Sequence, residues 1–307
     1  MSDSQRGNRN LALRREHRWD AIFAAVGLLL MWGILWVLAA LFLRLLIDGA
    51  ERLNPAFLLQ YPSRHAEQAG ILAAWVGSAL VLLVTAITAV PLGVAAGIYL
   101  EEYVAPGRWS AVLEISISNL AGVPSIIYGL LALGLLVQGL HLGQSILSAG
   151  LTLAMLILPM VIVSTREAMR TVPRELREAS YGLGASRWQT VWYHVLPQAT
   201  PGILTGVILG LSRAIGETAP VIVIGALSFI SFLPAPPISG TAPFLSFDWL
   251  HSPFTVLPIQ VFHWISRPNP DFHANAAAAG VVLVRGSVGM NALALYFRQR
   301  ARHRQFG

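Results

Sequence analysis

Residues 203–227 read ILTGVILGLSRAIGETAPVIVIGAL. The segment is apolar almost throughout, and its 25 residues exceed the roughly 20 that a helix needs to cross a hydrocarbon core about 30 Å thick. Near its middle stand Arg213 and Glu217. Each charge at the centre of a span costs on the order of 3 kcal/mol to insert. Four residues apart on a helix, the two share one face and offset each other's cost. The stretch therefore predicts a membrane helix whose charged face turns toward a helix bundle or a cavity, not toward lipid.

The rest of the chain agrees. Of 307 residues, 55% are hydrophobic and only 12% are charged, where a soluble domain carries about a quarter. Mean hydropathy is +0.62. Six apolar runs are long enough to span: 21–46, 71–100, 121–140, 146–163, 203–227 and 274–296. Pro91 predicts a kink in the second, and Pro159 lies within the fourth, where neighbouring helices can satisfy the freed carbonyl. The expected fold is an all-α integral membrane protein. The first run is about twice the length of a signal-peptide core and lacks a small-residue cleavage pattern, so it is expected to stay as a span.

Arginine placement sets orientation. Fifteen arginines fall in the N-terminal tail, between spans two and three, in the 166–202 loop and in the C-terminal tail. Four (Arg44, Arg52, Arg64, Arg267) fall on the opposite side. Both termini are expected in the cytoplasm, consistent with an even number of spans. The expected divisions are a tail at 1–20, a first span and outer loop at 21–70, a five-span core at 71–296 and a tail at 297–307. The outer loop 228–273 is rich in proline, including PAPP at 234–237. Within it, TVLPIQVFHWIS (255–266) reads equally as a short interfacial helix anchored by Phe262 and Trp264 or as an ordered loop.

The chain has no cysteine, which excludes disulfides and thiolate metal sites. It has no lysine either. A phosphate-binding loop of the G-x-x-x-x-G-K-[ST] type requires one, so work driven by ATP needs a separate ATPase. The histidines form no metal-ligand pattern, and no G-x-S-x-G element is present. The chain reads as a non-enzyme that binds no cofactor. The charge of +6 belongs to membrane-flanking arginines and gives no sign of nucleic-acid binding.

Between spans four and five lies REAMRTVPRELREASYGLGASRWQTVWYHVLPQATPG (166–202). Pro173 suits a helix's first turn, Gly182 and Gly184 cap or break that helix, and Ser186 can cap a second one. Pro197 and Pro201 are expected to end the second helix before the next span. The result is a short helix–turn–helix on the cytoplasmic face. It serves either as a docking element or as an amphipathic linker resting on headgroups. Its residues Glu178, Ala179, Ser180, Gly184, Leu196 and Pro197 resemble the E-A-A-x-x-x-G-x9-I-x-L-P loop of ABC importer permeases, with Ser180 in place of the second alanine and His194 where an aliphatic residue is usual.

IGETAP (215–220), SNLAGVPSIIYGLLALGLLV (118–137) and Glu101-Glu102-Tyr103 resemble the membrane subunits of the Pst phosphate importer, in particular the PstA type. The resemblance runs from about residue 71 to the C-terminus. It implies the type I importer permease fold in the bacterial inner membrane, importing inorganic phosphate by alternating access. The implied partners are a second six-span permease (PstC type), two copies of an ATPase (PstB type) that binds the ATP and Mg, and a periplasmic phosphate-binding protein (PstS type). It implies that Glu178, Ala179, Gly182, Gly184, Arg187, Leu196 and Pro197 form the coupling element that docks on the ATPase.

Two readings of the charged pair stand side by side. Arg213 and Glu217 fix helix packing, or they belong to the substrate pathway, in which the arginine's planar fork of donors meets an oxyanion. The resemblance assigns the matching arginine to the phosphate path. Thr218 adds a hydroxyl. Ser125 and Tyr128 follow a Gly-Val-Pro-Ser break that either starts a pore-facing helix or is only a kink. Arg285 interrupts span six, and three placements fit it: facing the bundle against Glu217, facing a water cavity, or locally weakening the span. Other oxyanions, an amino acid substrate, and a membrane scaffold for signalling are the competing functions.

Overall fold

The computed structural model describes residues 3–303 apart from 106, 237 and 239–245, with the side chains of 3–19, 21 and 300–303 outside the description. Arg6, Arg9, Arg14, Arg15, Arg18, Arg300, Arg302 and Arg304, and Pro237 of the PAPP run, fall outside it for that reason. Helix α1 (Asp3–Gly49) begins before the apolar run that predicted it. The short α2 (Pro55–Leu59) is capped by the Asn54 side chain, which accepts from the Phe57 amide. Then come α3 (Leu72–Ile98), extended by a π-helical turn over Tyr99–Tyr103, and α4 (Arg108–Ala121). Next are α5 (Ser125–Ala132), extended by a π turn to Gly139, and α6 (Ile146–Arg170). The projecting loop holds α7 (Arg174–Gly182) and α8 (Arg187–Thr190). Helices α9 (Leu196–Gly216), α10 (Ala219–Ile224), α11 (Leu257–Ile265) and α12 (Asp271–His303) complete the chain.

Five helices are long and apolar enough to cross a membrane, and a sixth crossing is reached if the pair α4–α5, bent by 97°, counts as one broken span. The core forms where α6 lies between α3 and α9. Small residues let the backbones meet. A β-carbon at Gly97 would sit 2.6 Å from Thr165 Cβ, and one at Gly93 2.7 Å from Val161 Cγ1. Across α6, Gly206 of α9 lies directly against Ser164, and Gly202 faces Ala168. Without a hydrophobic force between helices in lipid, such close approach supplies the packing energy. The Thr85 hydroxyl lies within hydrogen-bond distance of the Val81 carbonyl (2.9 Å) and the Gly150 carbonyl (3.1 Å). Both Pro91 and Pro159 lie within unbroken helices.

Helix α1 behaves differently. Its apolar run is bare, and it meets the bundle through its last turns, where Leu45 lies near Gly280 and Gly49 against Ala277 and Ala278 of α12. At that end, Arg52 donates to Asn275 Oδ1 (2.6 Å) and to the carbonyls of Glu67, Ala66 and Ala69 (2.8, 2.9 and 3.0 Å). A second apolar cluster joins Phe57, Trp264 and Phe272 beside it. The 255–266 stretch is thus helical over 257–265, but Trp264 is fully buried and is no interfacial anchor. Phe262 remains exposed.

Three expectations about continuity are corrected. The 203–227 run is not one helix: α9 ends at Gly216, Glu217 is extended (φ −76°, ψ 123°), and α10 starts afresh at Ala219. Pro220 is the reason. It has no amide hydrogen and its ring opposes the carbonyl four residues back, whereas the first turn of a new helix needs neither. Pro197 and Pro201, in contrast, end nothing. A π turn over Val191–Val195, closed by the Leu196 amide on the Val191 carbonyl, absorbs the strain, and the helix runs on from α8 into α9. The third span does not start at Ala121 as a straight rod. Helix α4 ends there, and the Gly122–Pro124 corner turns the chain by 97° into α5.

Candidate functional site

The break in the fifth span creates the first site. Arg213 occupies the last turn of α9, where the helix dipole favours a cation. Its Nε donates to Glu217 Oε1 at 3.3 Å, so the pair forms although Glu217 has left the helix. The Arg213 side chain is 50% exposed and that of Glu217 only 18%. Glu217 lines a small crevice with Ser78, Val81 and Leu82 of α3, Leu153 of α6 and Val256. Arg213 is not among the residues that line that crevice.

Depth follows from helix register. Gly202 faces Ala168 and Gly206 faces Ser164, so the level of Arg166 falls between these glycines. Arg213 lies about nine residues further along α9, roughly 14 Å at 1.5 Å per residue. That is half the thickness of a hydrocarbon core of about 30 Å. Arg213 therefore stands well away from the arginine-rich end of the bundle.

Of the other predicted pathway residues, Thr218 opens α10 with its carbonyl accepting from the Ile222 amide. Ser125 is the first residue of α5. Among the described residues, no hydrogen bond joins either hydroxyl to Arg213 or Glu217. Tyr128 is buried and donates to the Leu120 carbonyl at 2.9 Å. Gly129 next to it packs against Pro220, which docks α5 on the break. Arg285 is exposed on a continuous α12 and makes no ion pair among the described residues. It therefore neither meets Glu217 nor breaks the helix.

The second site is the projection between α6 and α9. Helix α7 closes with the amides of Leu183, Gly184 and Ala185 bonded back to Ala179, Tyr181 and Ser180. Gly184 adopts φ +84°, which a side chain resists. Ser186 and Gln189 form a reciprocal capping box at the start of α8. Ser180 bonds Thr190 at 2.9 Å in a buried contact that ties the two helices together. Glu178, Ala179, Gly182, Gly184, Arg187 and Pro197 are exposed, and Leu196 is half-buried. Leu183, at the tip, is 91% exposed, and Trp188 and Trp192 stack on each other with centroids 5.3 Å apart. Arg187 lies over the Tyr103 ring at 5.9 Å.

Beneath the projection lies an ionic joint that sequence reasoning did not assemble. Arg166 pairs with Glu101 and Glu114, each at 3.3 Å. Arg170 pairs with Glu101 (3.0 Å), Glu114 (3.6 Å) and Glu167 (3.2 Å). Arg177 of α7 pairs with Glu102 at 2.8 Å and donates to the Val172 and Met169 carbonyls at 2.7 and 3.0 Å. The arginines had served only to assign orientation. Three acids bordering span two, on the same predicted side as five loop arginines, were the available signal.

An arginine at a helix break within a bundle of membrane-crossing helices, and a two-helix projection leading into the same helix, fit a membrane transport subunit. The chain belongs to the family of binding-protein-dependent transport system inner membrane components, whose model matches residues 89–303. It is 36% identical over 238 residues to the phosphate transport system permease protein PstA of Mycobacterium leprae, covering 78% of this chain and 73% of that one. It is 30% identical to the phosphate transport system permease protein PstA of Pasteurella multocida, covering 90% and 92%. It is 32% identical to the probable ABC transporter permease protein YqgI of Bacillus subtilis, covering 81% and 84%. In fold it matches a chain of the inward-facing MetNI methionine ABC transporter with a TM-score of 0.55 at 17% identity, covering 76% of this chain and 94% of that one.

Proposed function

We propose that this chain is the PstA-type permease of an ATP-driven importer that moves inorganic phosphate into the cytoplasm. The observation that carries the reading is Arg213, a half-exposed guanidinium at a helix break within the bundle, paired with Glu217. A phosphate ion entering the bundle meets donors arranged as a fork. A charge-assisted hydrogen bond contributes about 1.5–3 kcal/mol, enough to offset part of the ion's desolvation while letting it leave. Glu217 keeps the site moderate by competing for the same donors. Thr218 and Ser125 line the pathway on either side of the break.

The two-helix projection docks on a separate ATPase, which binds the ATP and Mg. Two ATPase copies, a PstC-type second permease and a PstS-type periplasmic binding protein complete the assembly. Both termini face the cytoplasm, as the arginine distribution supports.

The test is uptake of labelled phosphate by cells lacking other phosphate importers, at matched membrane levels of the chain. Arg213→Gln should abolish uptake while assembly persists. Arg213→Lys should retain part of it, since the charge remains without the fork. Wild-type uptake by Arg213→Gln would leave the pair a purely structural role, and competition by sulfate or molybdate as strong as by phosphate would change the substrate.

A further inference from the structure

The ionic joint divides into two parts with different partners. Arg166 and Arg170 both belong to α6, and with Glu101 and Glu114 they join α6 to the end of α3 and to α4. The second part alone reaches the projection. Glu102 is 7% exposed and Arg177 16%, and their 2.8 Å contact is the shortest ion pair among the described residues. Arg177 also spans the carbonyls of Met169 and Val172 at the end of α6. One guanidinium thereby holds α7, α6 and the π turn after α3 in a single arrangement. Beside it opens a polar cavity of about 710 Å³ lined by Glu101, Glu102, Arg170, Arg174, Arg177, Glu178 and Tyr181. The pair borders water-accessible space.

Helix α3 continues from this joint to the opposite site. Ser78, Val81 and Leu82, some 20–24 residues before Glu102, line the crevice that holds Glu217. At 1.5 Å per residue they lie roughly 30–36 Å away along one rod. Resting on the functional reading above, we infer that Glu102 and Arg177 are positioning residues for transport: their ion pair delivers displacement of the docked projection to α3, and so to the wall of the Arg213–Glu217 site.

The experiment uses the complete complex reconstituted in vesicles, measuring labelled phosphate imported per ATP hydrolysed. Glu102→Gln keeps the size and removes the charge. It should leave ATPase co-purification intact and lower phosphate imported per ATP about ten-fold, the factor expected for loss of one charge-assisted bond. Glu102→Asp should recover part of the ratio. Glu114→Gln breaks only the α4–α6 part and should leave the ratio unchanged.

A second readout does not depend on the substrate. The chain has no cysteine, so spin labels at Leu83→Cys on α3 and Leu130→Cys on α5, both exposed, report the distance between these helices. ATP should shift that distance in the parent complex and not with Glu102→Gln. The inference is overturned if Glu102→Gln keeps both the ratio and the shift, if Glu114→Gln uncouples equally, or if Glu102→Gln and Glu102→Asp both lose the ATPase altogether. Absence of phosphate import by the parent complex, with the ATP-driven shift still lost in Glu102→Gln, would reject the substrate and keep the latch.

Discussion

Gly184 separates the shape of the projection from what it touches. Its φ of +84° is in the left-handed region, and a β-carbon built there meets nothing within 4 Å. Within this chain, then, a side chain at 184 causes backbone strain and no clash. That strain is about 1–2 kcal/mol for an ordinary residue, less for asparagine, and largest for a β-branched one. If the ATPase accepts only the intact turn, its apparent affinity falls with the fraction of chains holding that turn. A strain of 1–2 kcal/mol corresponds to roughly 5–30-fold. The expected order is Gly184→Asn close to the parent, Gly184→Ala weaker by about five-fold, and Gly184→Val near the upper limit. The assay is titration of detergent-solubilised permease with purified ATPase. Parent-like affinity for all three variants would refute the backbone argument, and a loss with asparagine as large as with valine would point instead to steric contact in the docked complex.

Other consequences are more local. Gly206→Ala drives a methyl group into Ser164 and should destabilise the solubilised protein by about 1–2 kcal/mol, after allowing for alanine's better helix propensity; adding Ser164→Gly should restore at least half the loss in melting temperature. A reporter fused after residue 304 should read as cytoplasmic and one inserted near Pro236 as periplasmic, and the reverse at either site would reject the orientation. His263 on α11 is held below the usual histidine range by burial and by neighbouring Arg267. Its contribution is present above about pH 6.5 and is lost as pH falls from there through the folded-state value. Melting temperature should fall between pH 7.5 and 5.5, and His263→Gln should flatten that slope.

The sequence made the spans legible because crossing a bilayer imposes a run length that hydropathy reads directly. It also exposed the caps of the projection, since Pro173 and Gly184 act through their own backbone and Ser186 through a hydroxyl that bonds three residues on. The break at Glu217 escaped the same reading. Hydropathy continues smoothly through Ala219–Ile224, and only the missing amide of Pro220 interrupts the helix. The opposite error arose at Pro197, where a widened turn relieved the ring. Trp264 looked like an interfacial anchor because burial by Phe57 and Phe272 depends on chain segments remote in sequence. The ionic joint was least accessible of all, its pairs between different elements lying 52 to 75 residues apart. Charge counts place such residues on one side of a membrane without saying which meet.

The contact between the first and last helices has a consequence for biogenesis. Arg52 reaches Asn275 across 223 positions of chain, and α12 supplies the surface on which the end of α1 rests. During synthesis at 5–20 residues per second, the first helix waits roughly ten to forty-five seconds for that surface to emerge. Throughout that interval it must persist in lipid as a solitary helix, which its bare apolar surface suits it to do. The ribosome thus finishes the molecule by closing it: the last span made fastens the first, and a chain stalled before residue 275 leaves its opening helix free for the quality-control proteases of the membrane.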